Sequence, residues 1–213
     1  MKIGGGMPEP HAVALFAVAA LALLVIPGPS VLYIVTRSIE QGRAAGFASV
    51  AGVHAGTLVH VAAAAFGLSA VLVRSATLYT GIKWAGAAYL VYLGVRRLAT
   101  RALRPEDVRV ERKPLGKLFR DGVVVNTLNP KTALFFFAFL PQFVDPERGS
   151  VTVQVLFFGA VFIVLGILSD GSYALLASTI GGALKRSRVY AAVERWVAGT
   201  IFVGLGVAAG ARD

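Results

Sequence analysis

Charged residues leave six long apolar gaps along this 213-residue chain. A helix needs about 20 mainly apolar residues to cross ~30 Å of hydrocarbon. None of the gaps alternates apolar and polar positions, as the strands of a membrane barrel do. We therefore predict an all-α integral membrane protein with about six transmembrane helices. The predicted spans are 10–36, 44–73, 78–95, 122–144, 149–184 and 196–211, the last of which is short and borrows residues 189–193.

Proline motifs should interrupt two of these spans. Pro27-Gly28-Pro29 lies in the first and Asn129-Pro130-Lys131 in the fourth. Proline removes a backbone hydrogen bond and clashes with the preceding turn, and interrupted backbone is tolerated in lipid only against protein or a wet cavity. A half-helix that restarts near Ser30 presents N–H groups and a positive dipole end, which suit a substrate carboxylate. A plain kink is the alternative, because Pro and Gly are common in transmembrane helices.

The two breaks occupy corresponding positions in the two halves of the chain. Each half would contain three helices and open with its interrupted span, as in transporters built from two inverted repeats. Pro29 lies eight residues before Arg37, and Asn129 lies eight residues after Asp121. Both breaks should therefore lie ~12 Å inside the same membrane edge and face one cavity. We predict one transporter domain over 1–213, with a first half at 10–98, a basic cytoplasmic loop at 99–120 and a second half at 121–211.

Asp170 is the only carboxylate deep within a predicted span. It lies fifteen residues before Lys185, or ~22 Å from that membrane edge. A carboxylate at mid-span costs ~2.5–3.5 kcal/mol on insertion scales, and such residues usually mark ion or proton pathways. Burial disfavours its charged form, so Asp170 is a candidate proton carrier, or a partner for a substrate ammonium. The alternative is a structural ion pair with Lys131, which could instead snorkel or hold the substrate carboxylate.

The second span combines small residues with histidine. Ala48, Gly52 and Gly56 recur every four residues, a spacing that lets helices approach closely. We expect His54, near that face, to line the cavity. His54 and His60 are six residues apart, which is off the spacing that brings side chains onto one helix face, so we predict no metal site. The chain has no cysteine, no nucleophile–base arrangement and no P-loop; we predict no enzyme activity and no cofactor.

The net charge of +10 would suit nucleic acid, but its distribution argues for a membrane loop. Nine of the 21 Lys and Arg residues lie at 96–120, beside three acids. The connections after spans one, three and five together carry fifteen basic residues, and the opposite side carries five. The positive-inside rule then places the odd connections in the cytoplasm and both termini in the periplasm. The predicted partners are the bilayer, a small solute and protons, with no nucleic acid; the oligomeric state stays open, a homo-oligomer included.

An ordered set of motifs resembles the LysE/RhtB family of amino-acid exporters over nearly the whole chain. In the first half the set begins with Pro27-Gly28-Pro29 and continues through 42–46, 52–56 and 83–94. In the second half it comprises Gly122, Asn126-Thr127-Leu128-Asn129-Pro130-Lys131, 141–143, Asp170 and Tyr173. Any one of these motifs is weak evidence, but their common order is specific. Ser30 departs from the Asp or Asn that many members have after Pro-Gly-Pro, which bears on substrate choice.

The resemblance implies secondary efflux of amino acids from the bacterial cytoplasm across the inner membrane, with proton antiport. With Asp170 as the only deep acid, a neutral substrate such as threonine, homoserine or leucine is favoured over lysine or arginine. The predicted substrate-binding residues are Pro27, Gly28, Pro29, Ser30, His54, Asn126, Asn129, Pro130, Lys131 and Tyr173, and the predicted proton-coupling residue is Asp170. Two alternatives stay open. One is a metal or inorganic-ion transporter of similar architecture, and the other is a non-transporting membrane scaffold in which the prolines only kink the helices.

Overall fold

A computed structural model describes the chain over residues 8–74 and 112–184, with side chains over 8–67 and 112–179, and at the isolated positions 84, 92 and 95. The predicted spans 78–95 and 196–211 lie outside the two described stretches. Within those stretches every regular element is a helix, and there is no strand. The helices are α1 Pro10–Val25, α2 Pro29–Gln41, α3 Arg43–Arg74, α4 Leu115–Thr127, α5 Pro130–Leu134 and α6 Val151–Leu184. A π-helical turn (Phe135–Phe139) and two 3-10 turns (Leu140–Phe143 and Pro146–Arg148) connect α5 to α6.

Four of the predicted spans correspond to these helices. Two of the described helices are long and apolar enough to cross a membrane alone, α3 over Arg43–Gly67 and α6 over Val151–Thr179. The other two spans are bent pairs. The axis turns by 53° between α1 and α2, and by 49° between α4 and the segment Pro130–Phe143. The prediction of an all-α membrane protein is confirmed.

Both proline motifs break the helix instead of only bending it. The backbone is extended at Ile26 and Gly28, and α2 begins at Pro29. Asn129 is likewise extended, and α5 begins at Pro130. Proline suits the first helical position, because its missing N–H would have no partner there and its φ is already helical. In each motif the proline thus starts the second half-helix.

Helix α4 begins earlier than the apolar pattern indicates. Its first residue is Leu115, which lies within the predicted loop at 99–120, and its first two turns carry Lys117 and Arg120. A gap between charges marks only the part of a helix that fits in hydrocarbon. A charged turn that continues the same helix beyond the apolar region is not detected from the gaps between charges. Lys113 Nζ lies 2.6 Å from Asp121 Oδ2, and this ion pair joins the segment just before α4 to the helix.

Helices α3 and α4 touch through their backbones. A Cβ added at Gly52 would overlap the carbonyl group of Phe119, and one added at Gly56 would lie 2.7 Å from the carbonyl oxygen of Val123. From the other side, a Cβ at Gly122 would lie 2.9 Å from the carbonyl oxygen of Ser49. The close approach predicted from the small residues of the second span is confirmed at Gly52 and Gly56, because only glycine leaves room for it.

An aromatic cluster fills the space between α1, the π-helical turn and α6. Phe16 of α1 is fully buried, and its ring centroid lies 4.6 Å from that of Phe158 and 5.4 Å from that of Phe135. Phe162 of α6 joins through Phe135, at 4.8 Å. Phe135 and Phe136 face neighbouring helices, and Phe137 is 37% exposed.

The polar contacts at the two ends of the bundle are different. At one end, the backbone N–H of Lys113 donates to Gln41 Oε1 at 2.9 Å, which brings the approach to α4 beside the turn between α2 and α3. At the other end, Arg148 forms an ion pair with Glu9, just before α1. The first contact places Gln41 and Lys113, which belong to two of the three connections predicted to be cytoplasmic, at one end of the bundle. Which end faces the cytoplasm stays a prediction.

Candidate transport site

A small cavity lies where the two helix breaks meet α3 and α6. Its volume is about 30 Å³. A site needs roughly 10–15 Å³ measured in this way to hold one water, whereas pockets for small-molecule ligands measure about 300–1,000 Å³. The described conformation is therefore closed around a space of water size. The lining residues are Leu23, Leu24, Gly28, Ser30, Val31, Val53, His54, Thr57, Asn126, Asn129, Lys131, Thr132, Phe162 and Asp170.

Polar side chains join the two breaks directly. The Ser30 hydroxyl, in the first turn of α2, donates to Asn126 Oδ1 at 2.9 Å. Asn129 Nδ2, at the second break, donates to Ser30 Oγ at 2.8 Å, while its own Oδ1 accepts from the backbone N–H of Lys131 and caps α5. All three side chains are buried. The hydrogen bonds hold the start of α2 against the start of α5.

Asn126 is the centre of this network. Its Nδ2 donates to the Val53 carbonyl oxygen and to Thr57 Oγ1, both at 2.9 Å, on the facing side of α3. Its Oδ1 also accepts from the Thr132 hydroxyl at 3.0 Å. The close glycine contact between α3 and α4 brings the amide within reach of α3. One side chain thereby links α2, α3, α4 and α5.

The carbonyl groups at the end of α1 receive donors from the second half of the chain. A helix end leaves its last carbonyls without an intrahelical partner. Tyr173 of α6 donates its hydroxyl to the Val25 carbonyl oxygen at 2.6 Å, and Lys131 Nζ donates to the Ile26 carbonyl oxygen at 2.5 Å. The Lys131 stem crosses Gly28, where an added Cβ would lie 3.1 Å from its Cδ. Gly28 thus leaves the room that the Lys131 stem occupies.

Asp170 lies on α6 at the same cavity and meets a histidine of α3. Its Oδ2 is 3.1 Å from His54 Nε2, and the two side chains are 4% and 6% exposed. Sequence reasoning considered Lys131 as the ion-pair partner of Asp170, and the structure places the His54 imidazole beside this carboxylate. The pairing was missed because the register between α3 and α6 depends on packing that no local pattern encodes. Gly166 makes it possible, since a Cβ there would overlap the imidazole ring.

Most of the predicted site residues meet at this cavity. Their part in substrate binding stays a prediction. The lining includes Gly28, Ser30, His54, Asn126, Asn129, Lys131 and Asp170. Pro27, Pro29, Pro130 and Tyr173 are absent from it; the prolines shape the breaks, and Tyr173 caps α1.

Sequence reasoning overlooked three polar residues of this region. Thr57 and Thr132 line the cavity and bond to Asn126, and His60 Nε2 donates to the Asn126 backbone carbonyl at 2.9 Å. The position of Thr57 directly after Gly56, and of Thr132 three residues after Asn129, could have indicated the two threonines.

Comparison with known proteins identifies the family of this chain. The model of the LysE type translocator family matches residues 21–212. The chain belongs to this family. A homoserine/homoserine lactone efflux protein of Salmonella typhi is 30% identical over 191 residues, which are 90% of this chain and 92% of the relative. An uncharacterised membrane protein of Pseudomonas aeruginosa is 32% identical, with 90% and 91% covered, and one of Bacillus subtilis is 28% identical, with 94% and 99% covered. No solved structure matches the chain.

Family membership confirms the resemblance drawn from the sequence motifs. This LysE type translocator is a membrane transporter and not an enzyme. Its matched region contains both helix breaks and Asp170. The cavity at the breaks is thus the candidate site for the transported solute.

Proposed function

We propose that this LysE type translocator exports small amino acids or their derivatives by exchange for protons across the bacterial inner membrane. The observation that carries the proposal is the meeting of two helix breaks at a small cavity whose lining includes buried polar side chains, Asp170 among them. Broken helices at mid-membrane are the usual binding elements of secondary transporters. The printed function of the Salmonella typhi relative, efflux of homoserine and its lactone, supports a solute of this class.

Both charged groups of an amino acid have complementary partners around the cavity. The first turn of α2, at Ser30 and Val31, and the Lys131 ammonium would receive the carboxylate. Asp170 would receive the ammonium. Among the lining residues that the structure describes, Asp170 is the only acid, so none is left for a cationic side chain. We therefore favour neutral substrates such as homoserine, threonine or leucine over lysine and arginine.

The proposed orientation places the end with Gln41 and Lys113 in the cytoplasm and both termini in the periplasm. Support comes from the excess of Lys and Arg in the predicted connections at that end, following the positive-inside rule. A cytoplasmic amino acid would then enter between α2 and α4. It would leave past the aromatic cluster around Phe16 and Phe135. The closed cavity has to widen at each of these steps, since it holds only about 30 Å³.

Transport by purified protein in proteoliposomes tests the proposal. Vesicles with an acid interior are given labelled homoserine, threonine, leucine or lysine outside, because proton antiport in either protein orientation then drives uptake. We expect gradient-dependent accumulation of at least one neutral amino acid and much less of lysine. We expect Asp170→Asn to abolish the response to the gradient, because an amide has no negative charge for which a proton and the substrate ammonium could compete.

Two results would contradict the proposal. Folded wild-type protein that moves none of the amino acids would remove amino-acid efflux and favour a scaffold role. Uptake that ignores the gradient, or that is unchanged in Asp170→Asn, would remove proton coupling through Asp170. A thermal unfolding transition in detergent establishes that each variant is folded.

A further inference from the structure

The His54–Asp170 pair is buried, and its geometry is that of a contact easily exchanged. The Nε2–Oδ2 separation of 3.1 Å is short enough for an ion pair. At this distance Nε2 nevertheless forms no hydrogen bond, so the ring N–H does not point at the carboxylate. A misaligned pair gains less than an aligned one, since hydrogen-bond energy falls steeply with angle. Another cation that aligned better could take the place of His54 at the carboxylate.

Two further polar atoms of the pair lack a hydrogen-bond partner among the described residues. They are Asp170 Oδ1 and His54 Nδ1, and both are fully buried. An unsatisfied buried polar atom costs about 1–3 kcal/mol, and such atoms in native proteins call for a specific explanation. Both residues line the cavity. The free oxygen of Asp170 can accept from a donor in the cavity, and the free nitrogen of His54 can take or release a proton.

The imidazole is also fixed in place. Gly166 of α6 lies directly against the ring, with no room for a side chain between them. His54 is held next to Asp170, the one carboxylate among the described residues that line the cavity. Among the described residues, the other titratable groups of this region are Lys131 from α5, Tyr173 from the same helix as Asp170 and Tyr33 from α2. Lys131 and Tyr173 donate to the carbonyl groups that end α1, and Tyr33 donates to the Leu118 carbonyl oxygen.

We infer that His54 carries the coupled proton, and that its imidazolium and the substrate ammonium occupy Asp170 in turn. A proton entering from the periplasm adds to a nitrogen lone pair of His54, and the resulting imidazolium pairs with the Asp170 carboxylate. An arriving substrate ammonium takes over the carboxylate, and the imidazolium loses its proton to the cytoplasm. The Asp170 carboxylate together with either cation is electrically neutral, so one proton is exchanged for one ammonium. This inference rests on the proposed function and assigns its proton to His54.

The test separates substrate exchange from proton coupling in His54→Gln. Glutamine keeps a polar group beside Asp170 but carries no proton. Proteoliposomes are assayed for labelled homoserine exchange without a gradient, and for accumulation driven by an acid interior. We expect gradient-driven accumulation to fall at least about tenfold further than exchange does, within the usual range of coupling between two ligands. A pH-sensitive dye should show no homoserine-dependent proton flux.

His60→Gln is the matched control, because His60 is a buried histidine of the same helix that bonds to Asn126 and does not line the cavity. It should retain coupling. If His54→Gln does not fold, the same exchange and accumulation assays are made on His54→Asn. A measurement on the wild type avoids variants altogether, since homoserine binding in detergent should release protons into weakly buffered solution.

Three results would overturn the inference. They are full coupling in folded His54→Gln, loss of exchange together with coupling in that variant, and homoserine binding without proton release. The first two leave amino-acid export by the wild type intact, so they are distinguishable from failure of the proposed function. If the wild type moves no amino acid, the proposed function fails and the inference fails with it.

Discussion

Ser30 and Asn126 are 96 positions apart in sequence, and a buried hydrogen bond of 2.9 Å joins them. The bond connects the half-helix after the first break to the helix before the second. Around it, Asn129, Thr132 and Thr57 complete a set of donors and acceptors that belongs to both halves of the chain. The cavity walls are thus connected to one another through Asn126.

Replacing the Asn126 amide by a carboxylate should strongly destabilise the fold. Asn126→Asp would turn a donor that faces the Val53 carbonyl oxygen into a charged acceptor. Leaving a buried charge without compensation costs about 3–5 kcal/mol. We expect a large fall in the midpoint of thermal unfolding in detergent. Asn129→Asp is the comparison, because its oxygen would still cap α5 beside Lys131 and the helix N-terminus favours negative charge. Equal losses in the two variants would contradict the central role of Asn126.

The backbone contact between α3 and α4 predicts opposite outcomes for two glycines of one helix. Gly52→Ala would force a methyl group into the Phe119 carbonyl and push the helices apart. Overpacking of this kind typically costs 1–3 kcal/mol and occasionally more, and here the obstacle is backbone that cannot rotate away. Gly67→Ala meets nothing within 4 Å and should be neutral or slightly stabilising, because alanine favours helix by about 1 kcal/mol over glycine. Thermal unfolding of both variants decides the matter, and a stable Gly52→Ala protein would argue against the contact.

The closed cavity predicts that accessibility of Ser30 depends on transport. The chain has no cysteine, so Ser30→Cys introduces a single thiol at a position that is 7% exposed. We expect a membrane-permeant thiol reagent to label it slowly at rest and faster when a pH gradient and homoserine drive turnover. Ser150→Cys, in the exposed connection before α6, should label rapidly in both conditions. Fast labelling of Ser30→Cys at rest would show that the cavity is already open.

The sequence was sufficient to predict the elements and the polar residues of the breaks, because their signals are local. Proline chemistry placed the breaks at Pro27–Pro29 and Asn129–Pro130, and the gaps between charges placed α3 and α6. The His54–Asp170 pairing and the Asn126 network depend instead on how helices more than 60 residues apart are rotated against each other. Such rotation is set by packing at positions such as Gly166 and Gly122, where a local pattern shows only a small residue.

The glycine contact also restricts which parts of the molecule can move during transport. Sliding α3 along α4 would bring side chains where only glycine fits, so the two helices should travel as one unit. They belong to opposite halves of the chain, so this contact joins the two halves in one rigid unit. The half-helices that hinge at Gly28 and Asn129 would then rock against α3 and α4. This rocking would open the cavity alternately to the two sides of the membrane.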